Sequence, residues 1–341
     1  MRDSEHGFER SSLNNIEHSI EHSIVRTSAF APGSIGNVGP GLDVLGAAVT
    51  GAGDTVVAEW HDRPGVTILE AGAPDLPTDA TRHTAGVAAL AVLRAATSLG
   101  GQRAGRGIGL RVHKGLPLSA GQGGSAASAV AGAAAVNALL GSPLDIPALL
   151  LASLEGEEMA AGRHLDNIAP SLMGGVVLVR SLDPIDVVSL PVPPTLRLVL
   201  AHPDQRLRTA DARSVLPAEV PRGTAVHQLA QVGAMVAALY SCDLALLGRA
   251  LDDRIAEPAR SALLPGFGEA KAAALDAGAL GASISGSGPT AFALCDGDAV
   301  ALRVAEAMAR AYASQGVRAL VRTARIDTDG TQVTCTRSED A

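Results

Sequence analysis

A chain of 341 residues is long enough for one large or two ordinary domains, each with a full core. Hydrophobic residues make up 47% and charged residues 18%, as in a folded soluble protein, and aromatics at only 2% leave the core to Ala, Val, Leu and Ile. A net charge of −8 with scattered Lys and Arg argues against a nucleic-acid-binding surface, and three widely spaced cysteines (Cys242, Cys295, Cys335) argue against a disulfide framework or zinc site and suit a reducing, cytoplasmic compartment.

Residues 1–23 are polar and contain the repeat IEHSIEHS. Their acids (Asp3, Glu5, Glu9, Glu17, Glu21) and lack of an apolar segment argue against a signal peptide, and no stretch of the chain reads as a membrane span. His18 and His22 lie four apart, a spacing that can bind metal on a helix, but a flexible extension is the simpler reading. From Ile24 the pattern turns β-like: IVRTSAFAP, a glycine-rich loop at 32–43, then LDVLGAAVT and DTVVAEW. A helix is expected at 82–98, a strand at 107–114, helices after the next glycine loop and at about 146–161, and a strand at 174–180.

The Pro-rich SLDPIDVVSLPVPPT at 181–195 marks a boundary. Beyond it come the strand LRLVLAHP, helical segments at 224–250 and 266–278, the strand–turn–strand GASISGSGPTAFAL, a helix at 299–315 and a last strand RALVRTARI. Helices and strands intermix, which is an α+β pattern. The expected organisation is a flexible extension (1–23), two domains (24–185 and 186–330) and a tail (331–341).

The segment GLPLSAGQGGSAASAVAGAAAVNALLG at 115–141 lacks the G-K-[ST] of a Walker A loop. Gly121, Gly123 and Ala126 formally satisfy G-x-G-x-x-A, yet the region about 20 residues on is a turn into another helix, not a strand ending in an acid. What remains is a strand, a glycine turn and a helix N-terminus, where free N–H groups and close backbone approach favour a phosphate. Ser125 and Ser128 add hydroxyls for phosphate or Mg²⁺; tight helix–sheet packing through small residues is the alternative. PGSIGNVGPGLD (32–43) and SGSGPT (285–290) are each a turn when taken singly, but three such loops suggest backbone gathered around one ligand. Glu155, Glu157 and Glu158 compete as a carboxylate for Mg²⁺ or form a solvated helix face.

In this order APGSIGNVGPGLD, PLSAGQGGSAAS and SGSGPT resemble the three motifs of the GHMP kinase superfamily. HLDNIAPSLMGG (164–175) and DRIAEPARSALLPGF (253–267) are similar to segments particular to its homoserine kinase family, and the resemblance spans about 25–325. It implies an α+β GHMP kinase fold, with an N-terminal ribosomal-protein-S5-domain-2-like domain and a C-terminal ferredoxin-like domain. It implies ATP as phosphoryl donor, Mg²⁺, L-homoserine as substrate and a place in threonine biosynthesis; a homodimer is expected, without nucleic-acid or membrane partners.

On this resemblance Pro117, Leu118, Ser119, Ala120, Gly121, Gln122, Gly123, Gly124, Ser125, Ala126 and Ser128 wrap the ATP phosphates, and Gly286, Ser287 and Gly288 form the third glycine motif. Glu157, placed like the family's metal-binding glutamate five residues before the glycine matching Gly162, holds Mg²⁺ with Ser125. Asp43 pairs with the substrate ammonium, Arg213 and Arg260 grip its carboxylate, and Asn37, His164, Asn167 and Thr209 complete the pocket. His164, Asn167 and Asp43 are the catalytic candidates; because Asn167 stands where some superfamily members use an Asp base, transfer is expected without a dedicated side-chain base. Two positions depart from the family: Gly124 replaces a serine and Leu42 an aromatic. The rival readings are a mevalonate- or shikimate-type kinase, whose substrates lack an ammonium, and a non-catalytic ligand sensor.

Overall fold

The computed structural model describes residues 24–99 and 106–337, so the expected N-terminal extension and its His18–His22 pair lie outside the described residues. Strand β1 (Ile24–Gly36) runs antiparallel to β2 (Leu45–His61) over nearly its whole length, with an irregularity between Pro32 and Gly33 that bends the pair. The first five residues of the loop expected at 32–43 are therefore strand, because β2 supplies backbone partners up to Gly36. Next come β3 (Val66–Glu70), α1 (Thr84–Ser98), β4 (Gly107–His113), α2 (Gly124–Leu139), α3 (Ile146–Ala160), α4 (Ile168–Met173), β5 (Val176–Leu182) and β6 (Ile185–Leu190).

The second half holds β7 (Leu196–Pro203), α5 (Thr209–Ser214), α6 (Arg222–Ser241), α7 (Leu244–Ala250), α8 (Ala256–Arg260) and α9 (Phe267–Asp276). After these come β8 (Gly281–Ile284), β9 (Ala291–Asp296), α10 (Asp298–Ser314), β10 (Ala319–Ala324) and β11 (Gln332–Arg337). Two sheets result. One has the order β11-β1-β2-β4-β3, with β5 on β2 and β6 on β5; the other is antiparallel, in the order β10-β7-β9-β8.

Two expected boundaries need correction. Residues 331–341 were expected as a tail, but 332–337 form β11 and pair with β1 in the first sheet. The first unit also continues past 185, because β6 pairs with β5 inside the Pro-rich segment.

The scarcity of aromatics shapes the packing. Helix α2 is buried at every position from Ala126 to Leu139, so it has no polar face and runs through the first core. Small residues let its neighbours approach closely: a Cβ on Gly132 would meet the Ala85 carbonyl at 2.7 Å, and one on Gly156 the Thr84 carbonyl at 2.6 Å. A second core joins the two sheets through Ile35, Leu45 and Val176 from one and Leu198, Phe292 and Leu294 from the other, with α6 and α7. A third lies between the second sheet and α9 and α10. The shared middle core fixes the glycine loops of both halves against one another.

Candidate active site

Helix α2 opens at Gly124 after Gly123, which adopts the left-handed conformation at φ 68°. No side chain caps this terminus and its first turn carries no acid, so its first N–H groups face the neighbouring cavity with the helix dipole behind them. That cavity, about 500 Å³, is walled by Pro117–Gly121, Gly123–Ser125 and Ser128 on this side. It is large enough for a nucleotide's phosphates and a small molecule together.

The three glycine loops are stitched to one another by backbone groups. Ser34 N–H donates to the Gln122 carbonyl at 3.1 Å, and Gly286 N–H to the Gly36 carbonyl at 2.9 Å. Thr290 Oγ1 donates to the Ala120 carbonyl at 2.6 Å and Ser285 Oγ to the Gly121 carbonyl at 2.5 Å. A side chain at Gly121 would collide with the Ser285 and Gly288 carbonyls, 2.5 and 2.6 Å from its Cβ, so glycine is required there by contact as well as by φ 72°.

Beneath the loop, Lys114 and Asp54 form an ion pair, and Asp54 is fully buried. Lys114 Nζ also donates to the Gly124 carbonyl at 2.8 Å and to Ser128 Oγ at 3.0 Å. Asp54 accepts from the Gly115 and Leu116 N–H groups at 3.1 and 3.2 Å and from Ser128 Oγ at 2.7 Å. An ammonium has three donors, and all three are occupied. Lys114 therefore pins the loop to the first turn of α2.

Where the loop meets α3, Ser125 Oγ donates to Glu157 Oε1 at 3.0 Å, while Glu157 Oε2 is buried without a partner. Burial, and secondarily the nearby Asp166, push Glu157 up to about 7. A buried carboxylate oxygen lacking a partner beside a hydroxyl and an uncapped helix N-terminus is a donor set that a hard cation can take.

The far end of the cavity is charged. Arg213 on α5 reaches Asp43 with both terminal nitrogens, at 2.5 and 3.3 Å. Arg260, 2% exposed, is held by the Ala212 carbonyl at 3.1 Å and the Gly286 carbonyl at 2.9 Å. Asn37 Oδ1 accepts from Asp43 N–H at 2.8 Å, and Asn167 Oδ1 accepts from Ser34 Oγ at 2.9 Å. Asp166 Oδ2 accepts from Asn37 N–H at 2.8 Å, and burial together with Asp43 pushes this carboxyl up to about 7. Burial and the Arg213 charge lower the pKa of His164, which is neutral at pH 7.

Asn37, His164, Asn167, Thr209, Arg213, Arg260, Gly286, Ser287, Glu157 and most of the second loop thus line one cavity. Four expected contacts do not. Gln122 turns away to Thr290 Oγ1 at 3.3 Å, Ala126 is sealed in the helical core, Gly288 packs toward Leu264, and Asp43 reaches the cavity only through Arg213. Ser128 lines the cavity, but its hydroxyl is engaged by Asp54 and Lys114. Sequence reasoning missed Asp166, Lys114 and Asp54. Asp166 sits inside the quoted HLDN segment and Lys114 is the last charge before the glycine loop, whereas nothing in the sequence marks Asp54.

Two sheets with a shared core, three interlocked glycine loops and an uncapped helix terminus define a GHMP kinase. The chain belongs to that superfamily: residues 85–175 match the family model of the GHMP kinases N terminal domain and 235–314 that of the GHMP kinases C terminal. Within it the chain belongs to the homoserine kinase family. It is 43% identical over 294 residues to a homoserine kinase of Chloroherpeton thalassium, covering 84% of this chain and 92% of that one. With a homoserine kinase of Arabidopsis thaliana it shares 40% over 318 residues, 91% of this chain and 85% of the relative. A crystal structure of homoserine kinase from Cytophaga hutchinsonii superposes with a TM-score of 0.85 at 43% identity, covering 91% of this chain and 97% of that one.

Proposed function

We propose that the chain is an ATP-dependent kinase that phosphorylates the side-chain hydroxyl of L-homoserine, giving O-phospho-L-homoserine for threonine biosynthesis. One observation carries the reading. A single cavity joins an uncapped helix N-terminus, suited to phosphate, to a pocket with carboxylates and guanidinium groups, suited to an amino-acid zwitterion. The relatives named homoserine kinase support the same reading. Mevalonate or shikimate, which carry no ammonium, would leave the buried Asp166 oxygen without a partner.

The phosphates of ATP lie along Gly121–Ser125, taking the N–H groups at the start of α2. Ser125 and the unpartnered Glu157 oxygen fit Mg²⁺ and would hold it; bound there, it would neutralise phosphate charge. Arg213, which stays on Asp43 and has an unpartnered Nε, meets the substrate carboxylate together with Arg260. The hydroxyl then faces Asn37, His164 and Asn167 for in-line attack. The Asn167 amide does not take up a proton, so the hydroxyl proton leaves to the transferred phosphoryl group or to solvent, and catalysis rests on positioning and charge.

A coupled ADP-release assay with Mg-ATP and a panel of L-homoserine, mevalonate, shikimate and L-serine tests this. Turnover of L-homoserine well above the others is expected. No turnover of L-homoserine despite ATP binding would overturn the reading, and full turnover by Asn167→Ala would remove that residue from the mechanism.

A further inference from the structure

The sequence points to Asp43 as the partner of the substrate ammonium, but in the folded chain Asp43 already has a cation. Both of its oxygens are held by Arg213, at 2.5 and 3.3 Å. A carboxylate with a free oxygen stands beside it, that of Asp166. Only Oδ2 is engaged, by the Asn37 N–H at 2.8 Å; Oδ1 is buried with no partner, and the residue is 1% exposed. His164 Nδ1 stands 4.0 Å from that oxygen, and the other ring nitrogen, Nε2, is also buried without a partner. One donor atom each from Asp43, His164 and Asp166 fall within 4.8 Å of one another, and both Asp166 and His164 line the cavity. A buried carboxylate oxygen with no partner is costly unless a ligand satisfies it.

We propose that Asp166 receives the ammonium of the amino-acid substrate on its free oxygen, with His164 and Asp43 completing the pocket, and so selects substrates that carry an α-ammonium. This deepens the homoserine kinase reading and rests on it. An ammonium suits the pocket better than a divalent ion, because the Arg213 guanidinium already stands against Asp43 and a doubly charged neighbour would be repelled. The charged and titratable groups around Asp166 agree. Asp43 and Glu157 oppose its ionisation, Arg213 and Arg260 favour it, and His164 is neutral at pH 7. An arriving ammonium reverses the balance, ionises Asp166 and displaces its proton.

The test compares L-homoserine with 4-hydroxybutanoate, which has the same hydroxyl and carboxylate but no ammonium, in the wild type and in Asp166→Asn. The asparagine keeps an oxygen for the Asn37 N–H and puts an uncharged amide NH₂, which cannot accept from an ammonium, in place of the free oxygen. The expected result is a KM for L-homoserine raised about 10- to 100-fold, the loss of one charge-assisted bond, with KM for ATP and inhibition by 4-hydroxybutanoate unchanged. Equal weakening of both ligands shows that Asp166 merely holds the Asn37 loop and overturns the proposal while the kinase reading stands. A wild type that does not turn over L-homoserine sinks both. Should the variant fail to fold, calorimetry on the wild type at pH 6.5 in two buffers of different ionisation enthalpy decides. L-Homoserine is expected to release protons that 4-hydroxybutanoate does not; equal release overturns the assignment.

Discussion

The two ends of the cavity are built on opposite plans. At the phosphate end every side-chain donor of Lys114 is taken, Asp54 is saturated, and the groups left over are backbone N–H groups at the start of α2. At the amino-acid end Asp166 Oδ1, His164 Nε2 and Arg213 Nε are buried and unpartnered, and Glu157 Oε2 is in the same condition between the two ends. These make four of the six such atoms among the described residues, so unsatisfied polarity is concentrated at one place. A loop that receives a constant group can be rigid and complete in itself. A pocket that must recognise a zwitterion keeps its own charges incompletely paired until the substrate supplies the missing ones.

Replacing Glu157 probes the junction of the two ends and has the largest expected effect. Glu157→Gln should lower kcat about 1,000-fold or more, since on the proposed function it removes the carboxylate that would hold Mg²⁺ beside the transferring phosphate. The same variant should be more stable than the wild type without ligands. The folded group titrates near 7 against an ordinary 4.5, so ionising it costs the fold about 3 kcal/mol, at about 1.36 kcal/mol per unit. That cost is absent below pH 4.5, grows as pH rises and is complete above 7. Thermal melts at pH 8 should therefore favour the variant, and the advantage should vanish below about pH 4; a pH-independent difference would refute the assignment.

Lys114→Met attacks the completed end. It leaves the fully buried Asp54 unpaired, for which about 3–5 kcal/mol of stability loss is expected, with a raised KM for ATP as the loop loosens. Adding Asp54→Asn should restore much of the stability without restoring KM. A single variant that melts like the wild type would show the pin to be dispensable.

Arg213→Lys addresses the incomplete end. A lysine cannot present the two-pronged guanidinium, so KM for L-homoserine should rise about tenfold with kcat nearly unchanged. A fall in kcat at unchanged KM would count against a carboxylate-binding role. The smallest effect belongs to Gly124→Ser. A Cβ there meets nothing closer than Lys114 Nζ at 3.4 Å, and serine restricts the unfolded chain, so a gain of about 0.5 kcal/mol and KM for ATP within about threefold are expected. A large gain in kcat would instead mean that the glycine had cost the enzyme a working hydroxyl.

Much of the fold was legible. Helix 82–98 is observed as Thr84–Ser98 and the strand expected at 107–114 as Gly107–His113, because runs of apolar residues with the right period identify themselves. What escaped was structure supplied by a distant partner. Strand β1 runs through a segment that reads as a glycine loop, held by β2. Strand β11 is exposed along its whole length and becomes a strand only because the edge of β1 offers it hydrogen bonds. In the site, glycine loops and residues within quoted motifs were readable, whereas Asp54 became visible only once folding set it under the loop, 60 residues from Lys114.

The sequence by itself determined the family, the ordered glycine motifs and the set of residue types around the cavity, since these are local and carried by side-chain identity or backbone freedom. Tertiary structure alone decided which of those groups were already satisfied. It joined Arg213 to Asp43 and left the Asp166 oxygen free, because pairing and desolvation depend on neighbours brought together across more than a hundred residues.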